Sequence, residues 1–194
     1  MNGNWSSKQL TARAWAALLA MVSVVVGMLT AVVAPAAAAD PPVVAALTAT
    51  PARPSPGQAV VVSARLTPGS TATLTYKVMF GADVSVAFLD GASSPGGAGD
   101  GVYAATIPGQ TAGKLIRYRV DALTGGVASS APASTDSVRY RGVVVLNPAV
   151  STQLPTIEWF MDDAVYNDIL ANHREDDFQG AAVWAYNGTV IDGV

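Results

Sequence analysis

No cysteine occurs anywhere in the chain. Disulfides, thiolate nucleophiles, cysteine-type zinc sites and anchoring through a lipidated cysteine are thereby excluded, so the folded part must be held by an apolar core. Histidine occurs once, and no second ligand or serine nucleophile is placed beside it in the sequence. Charge is scarce as well: charged residues make up 13% of the chain against 51% hydrophobic ones, which excludes a disordered acidic or basic tail. What charge there is carries the wrong sign for nucleic acid. Taking Lys8 and Arg13 from the 11 basic side chains leaves 9 against 14 acidic ones, a balance of −5. Such a body does not track phosphates.

Residues 1–39 read as a signal peptide. Lys8 and Arg13 supply the positive start, Ala14 to Ala39 carries no charge, and the block closes on Ala37-Ala38-Ala39 before Asp40. Cleavage is expected between Ala39 and Asp40, giving a secreted, extracellular protein. The alternative is an uncleaved anchor, since the uncharged run is long enough to span a bilayer. The membrane would then be met only through this leader.

Residues 40–57 are expected to be a linker rich in proline and alanine. Pro41, Pro42, Pro51, Pro54 and Pro56 favour extended chain poor in hydrogen bonds. From 58 to 142 the pattern has period two. Val60, Val62, Ala64 and Leu66 alternate with wetter residues, as do Leu74, Tyr76, Val78 and Phe80, then Val84, Val86 and Phe88, then Ile116, Tyr118, Val120 and Ala122. Turn formers separate these runs: Pro68-Gly69, Gly81, the loop Asp90 to Gly101, Pro108-Gly109 and Gly125-Gly126. Short strands at this spacing, with no amphipathic helix among them, predict a mainly β fold. The expected form is an antiparallel β-sandwich of immunoglobulin-like or fibronectin III-like kind. Ala128 to Asp136 reads as a polar connector and residues 143–153 as a second linker.

Residues 154–194 change character, to a small α+β unit. Ile157, Trp159 and Met161 make a strand. Asp162 then caps a helix, with Asp163 at the positive end of its dipole. Val165 with Ile169, and Tyr166 with Leu170, recur at helical spacing, and His173 and Arg174 close the element. Asn187-Gly188 between two apolar runs predicts a tight hairpin, because both positions of the favoured turn need positive φ. The chain ends at Val194, inside the second hairpin strand by this reading, so the unit is expected to be a truncated start of a domain and loosely docked.

Several stretches invite a chemical reading. Gly96-Gly97-Ala98-Gly99-Asp100-Gly101 has the glycines of a phosphate loop but lacks the helix and the Lys-Ser/Thr pair that must follow. Asp90 and Asp100 could face a cation, at a spacing that matches no twelve-residue calcium loop. Asp162, Asp163, Asp168, Glu175, Asp176 and Asp177 are numerous enough for a metal or an acid–base pair, yet capping and solvated positions explain them. Asp177-Phe178-Gln179-Gly180 departs from the kinase magnesium motif by an inserted glutamine. Asn187-Gly188-Thr189 fits a glycosylation sequon as well as a turn. No residue is therefore assigned a catalytic, cofactor-binding or metal-binding role.

The C-terminal unit resembles the opening of the CotH kinase family, the atypical protein kinases of spore-coat type. Leu154 to Asp163, Tyr166 to Arg174, and Ala181 to Val194 carry the resemblance. They match a strand ending in Met-Asp, a helix built on Leu and Asp, and a Tyr-x-Gly hairpin. Asp90 to Tyr118, especially Asp100 to Gln110, is similar to the Ig-like modules that precede such domains in secreted bacterial proteins. The resemblance implies the N-terminal portion of a secreted kinase-family protein. The family's nucleotide-binding and catalytic residues lie downstream of the hairpin, so ATP and magnesium are implied for a longer relative alone. The alternative is a secreted or cell-envelope binding module that meets another extracellular protein.

Overall fold

The computed structural model describes residues 40–152, 154–186 and 189–191. The signal-peptide reading of residues 1–39 and the Asn187-Gly188 turn lie outside the described residues. Of the described residues, 44% are in strands and 7% in helix. All strand pairs are antiparallel.

The first sheet has the order β1-β2-β5, built from β1 (Val44–Thr50), β2 (Val60–Leu66) and β5 (Val102–Ile107). The second has the order β4-β3-β6-β7, from β3 (Thr71–Val78), β4 (Val84–Phe88), β6 (Leu115–Thr124) and β7 (Val127–Ala131). β8 (Arg141–Val144) pairs with the first half of β6, and β7 with the second half. Because β3 occupies the other side of β6 along nearly its whole length, β7 and β8 together form one interrupted edge.

The alternation read from the sequence decides what is buried. Val60, Val62, Ala64 and Leu66 all point into one core with Leu74, Tyr76, Phe88, Ile107, Ile116, Tyr118, Val120 and Ala122. Val78 and Val86, on the apolar faces of their runs, are half-buried at its margin together with Tyr103. Each fully buried aliphatic side chain contributes roughly 1.5–3 kcal/mol relative to exposure.

Several expectations need correcting. The start of the 143–153 linker is not a linker: Val143 and Val144 belong to β8, pair with β6 and are buried together with Val145. Residues 40–57 are not poor in hydrogen bonds: Val44–Thr50 pairs with β2, and Pro42 and Pro54 are fully buried. The prolines flank the strand rather than interrupt it, so their missing N–H groups cost the ladder nothing. Val127–Ala131 is likewise a strand, paired through the Gly125-Gly126 turn. Its serines and alanines disguised it as a connector.

The third sheet has the order β11-β10-β9, from β9 (Ile157–Met161), β10 (Ala182–Tyr186) and β11 (Thr189–Ile191). Helix α1 (Asp163–Asn172) follows β9. Val183, Ala185 and Val190 are buried against Leu115 and Val144, with Met79, Phe80 and Phe160 beside them. The expectation of loose docking is therefore not met. This contact also covers the second face of β6 at its start, which is why Arg117, expected on a wetter face, is only 7% exposed.

Candidate functional site

The glycine-rich loop spends its own acids. Asp90 accepts hydrogen bonds from the backbone N–H of Gly99 (2.8 Å) and Gly101 (3.0 Å), and Asp100 accepts from Val102 N–H at 2.8 Å. Arg65 donates to the Asp100 carbonyl at 3.0 Å. Gly96, Gly97, Gly99 and Gly101 have positive φ, the conformation that lets the loop fold onto Asp90. The carboxylates are staples of a β–β connection.

The acidic group of the C-terminal unit is split three ways. Asp162 is the N-cap of α1 and accepts from Ala164 N–H at 2.9 Å, with Asp163 in the first turn. Asp168 accepts from Asn172 at 2.7 Å and lies 3.5 Å from Nε2 of His173. Asp176 meets Nδ1 of His173 at 2.7 Å and also accepts from Phe178 N–H at 3.1 Å. Glu175 and Asp177 are exposed. Among the described residues no group of three or more His, Cys, Asp and Glu side chains is arranged to hold a metal ion.

His173 is the C-cap of α1, and its ring stacks on Phe178 at 4.1 Å. The hydrogen bond to Asp176 raises its pKa above the ordinary histidine value; partial burial opposes this and the charges of Asp176 and Asp168 add to it. The same hydrogen bond lowers Asp176. Phe178 and Gly180 of the kinase-like stretch thus have structural partners. A Cβ on Gly180 would lie 2.6 Å from Cγ1 of Val165, so the glycine lets α1 pack against the strand that follows.

Two assemblies emerge that the sequence did not reveal. In the first, Lys77, Arg117 and Arg119 surround the ring of Tyr140 at 4.2, 5.8 and 5.5 Å. The Tyr140 hydroxyl donates to Asp83, which also pairs with Lys77 at 3.7 Å. Of these, Lys77, Arg117 and Tyr140 line a 450 Å³ recess with Phe80, Asp162 and Val183.

The second is the outer face of the third sheet. The register sets Trp184 directly across from Trp159 and from Ile191, and Tyr186 across from Ile157. All five are exposed, Trp159 by 53%, Tyr186 by 51% and Trp184 by 43%. Ile157, Trp184, Tyr186 and Ile191 line a shallow groove of about 330 Å³. Ile157 also lines a neighbouring cleft of about 370 Å³ with Arg53, Asn147, Thr152 and Glu158 among its walls. Oε2 of Glu158 is buried and has no hydrogen-bond partner among the described residues. Period two within Ala182–Tyr186 signals a shared face for Trp184 and Tyr186. Only the pairing with β9 adds Trp159, and no local signal marks the cleft.

Comparisons with known protein families, with curated proteins and with solved structures find no match. The chemistry therefore rests on the residues themselves. They offer an exposed aromatic face on the third sheet and a group of cationic side chains around Tyr140.

Proposed function

We propose that the chain is the leading portion of an exported CotH-like kinase-family protein and that its own role is non-catalytic. The sandwich expected over residues 58–142, extended by β1 and the end of β8, would be of immunoglobulin-like or fibronectin III-like kind and carry a CotH-like opening unit. The single observation supporting this reading is the order strand β9, capped helix α1, hairpin β10–β11, the order the resemblance implies. The strand orders β1-β2-β5 and β4-β3-β6 with β7 and β8 at the edge, around one shared core, support the sandwich. Phosphoryl transfer needs cations, metal-holding groups and a nucleophile-orienting group gathered around the phosphates. In this proposal ATP and magnesium belong to a longer relative. The test is to incubate the purified chain with magnesium, labelled ATP and an acceptor protein, with calorimetry alongside. Transfer no greater than without the protein is expected; turnover with a saturable ATP site would refute the non-catalytic role.

A second reading is favoured by the exposed Trp159, Trp184 and Tyr186 face: a cell-envelope or extracellular binding module in its own right.

A further inference from the structure

We propose that Met79 is an oxidation site, and that its conversion to the sulfoxide by a hydroperoxide loosens the third sheet from the second. The proposal depends on neither functional reading above.

The chain has no thiol, so its sulfur chemistry belongs to five methionines, of which Met79 and Met161 follow the leader. Met79 sits where β3 has just ended. Its φ is 53°, in the left-handed region that a side chain rarely adopts. In an antiparallel ladder, a hydrogen-bonded pair of facing residues exchanges both of its N–H···O bonds. Met79 and Leu115 keep one of the two: the Met79 N–H donates to the Leu115 carbonyl at 2.8 Å. The other is replaced. The Leu115 N–H donates to the Met79 sulfur at 3.3 Å, while the Met79 carbonyl accepts from Nη2 of Arg117 at 2.8 Å. A thioether, a weak acceptor, thus stands in for a backbone carbonyl at the start of β6.

The position ties this bond to the third sheet. Leu115 is fully buried, in the cluster where Val144 meets Val183, Ala185 and Val190. Met79 packs against that cluster and is itself only half-buried, so a small oxidant reaches it.

In the reaction, a sulfur lone pair attacks the terminal oxygen of the hydroperoxide. The S–O bond forms as the O–O bond breaks. The proton of the attacked oxygen passes to the departing one, which leaves as water or an alcohol. Sulfur is oxidised and the peroxide reduced, each by one electron pair. The product is a polar, chiral side chain in place of an apolar one. An oxygen on the lone pair facing Leu115 would stand a bond length nearer than the sulfur's 3.3 Å, inside the closest N–H···O approach of about 2.7 Å. An oxygen on the other lone pair adds a polar atom to a side chain packed on apolar neighbours. Either product displaces the side chain, and the buried Leu115 N–H loses its acceptor.

The test treats the full chain with hydrogen peroxide. Peptide mass mapping reports the oxygen gained at each methionine, and hydrogen exchange is read in the same samples. Met79 is expected to gain one oxygen, and exchange of segment 182–186 to accelerate about tenfold or more, while segment 60–66 changes less. Met79→Leu should not respond to peroxide. Met161→Leu should respond as the unaltered protein does, and this arm decides the matter if Met79→Leu does not fold. Three results overturn the proposal: Met79 left unoxidised where Met161 is converted, Met79 sulfoxide with unaltered exchange, or equal acceleration of segment 60–66. A Met161→Leu protein whose exchange ignores peroxide also overturns it, because Met161 would then be the sensitive residue.

Discussion

Gly142 of β8 and Val190 of β11 touch so closely that a Cβ on the glycine would lie 2.9 Å from the valine Cβ. It would also lie 3.0 Å from the Ile116 carbonyl oxygen, on the strand paired with β8. The seam between the second and third sheets therefore depends on the absence of a side chain at one position. Gly142→Ala is expected to destabilise the protein by about 1–3 kcal/mol, the usual effect of overpacking. Val190→Ala added to it should recover part of that loss, because the two changes act on the same space. Denaturant titration of both single variants and the double variant checks this. Additive losses would mean that the contact does not limit the seam.

Tyr118 gives the core a pH limit. Burial pushes its pKa up to about 12, against a smaller opposing effect of Arg141. The folded state thus keeps the proton at pH values where the unfolded chain, titrating near 10, has lost it. This contribution is whole below pH 10 and is lost as pH rises toward 12. The loss should reach about 3 kcal/mol above pH 12, with about 2 kcal/mol of it present at pH 11.5. Urea titrations at pH 8 and pH 11.5 should show it, and Tyr118→Phe should abolish the difference specific to this residue. An unchanged alkaline loss in Tyr118→Phe would place the sensitivity elsewhere.

His173 has the same direction of shift with a different cause. Its pKa is raised first by the hydrogen bond to Asp176. The clamp between the end of α1 and the 176–178 loop should therefore be complete below the ordinary histidine value and be lost as pH rises through the elevated one. The chain has one histidine, so its imidazole proton signals can be followed without ambiguity. Their titration midpoint is expected above that of free histidine, and Asp176→Asn should bring it down. A midpoint at or below the free value would contradict the geometry.

The strands of the main core were legible because one face of each is apolar. Val60 to Leu66 and Ile116 to Ala122 carry their burial in plain alternation. The Asp162 cap was legible for the same local reason, since capping needs only the residue and its successors. β1 and β7 were hidden although each pairs with its neighbour in sequence, because their alanines, serines and threonines signal a strand weakly. The buried Arg117 and the Trp159–Trp184 pair could not be read either. Both depend on where a third sheet lies, and that is settled by Leu115, Val144, Val183 and Val190 across large sequence separations.

The central claim is that the third sheet is held to the rest by Val183, Ala185 and Val190 and so presents Trp159 and Trp184 outward on a firm support. Native-state hydrogen exchange read by mass spectrometry tests it most directly. Segments 157–161 and 182–186 should show protection approaching that of segment 115–123, because all three would open only in large cooperative unfolding. Full exchange of the first two segments while 115–123 remains protected would contradict the account.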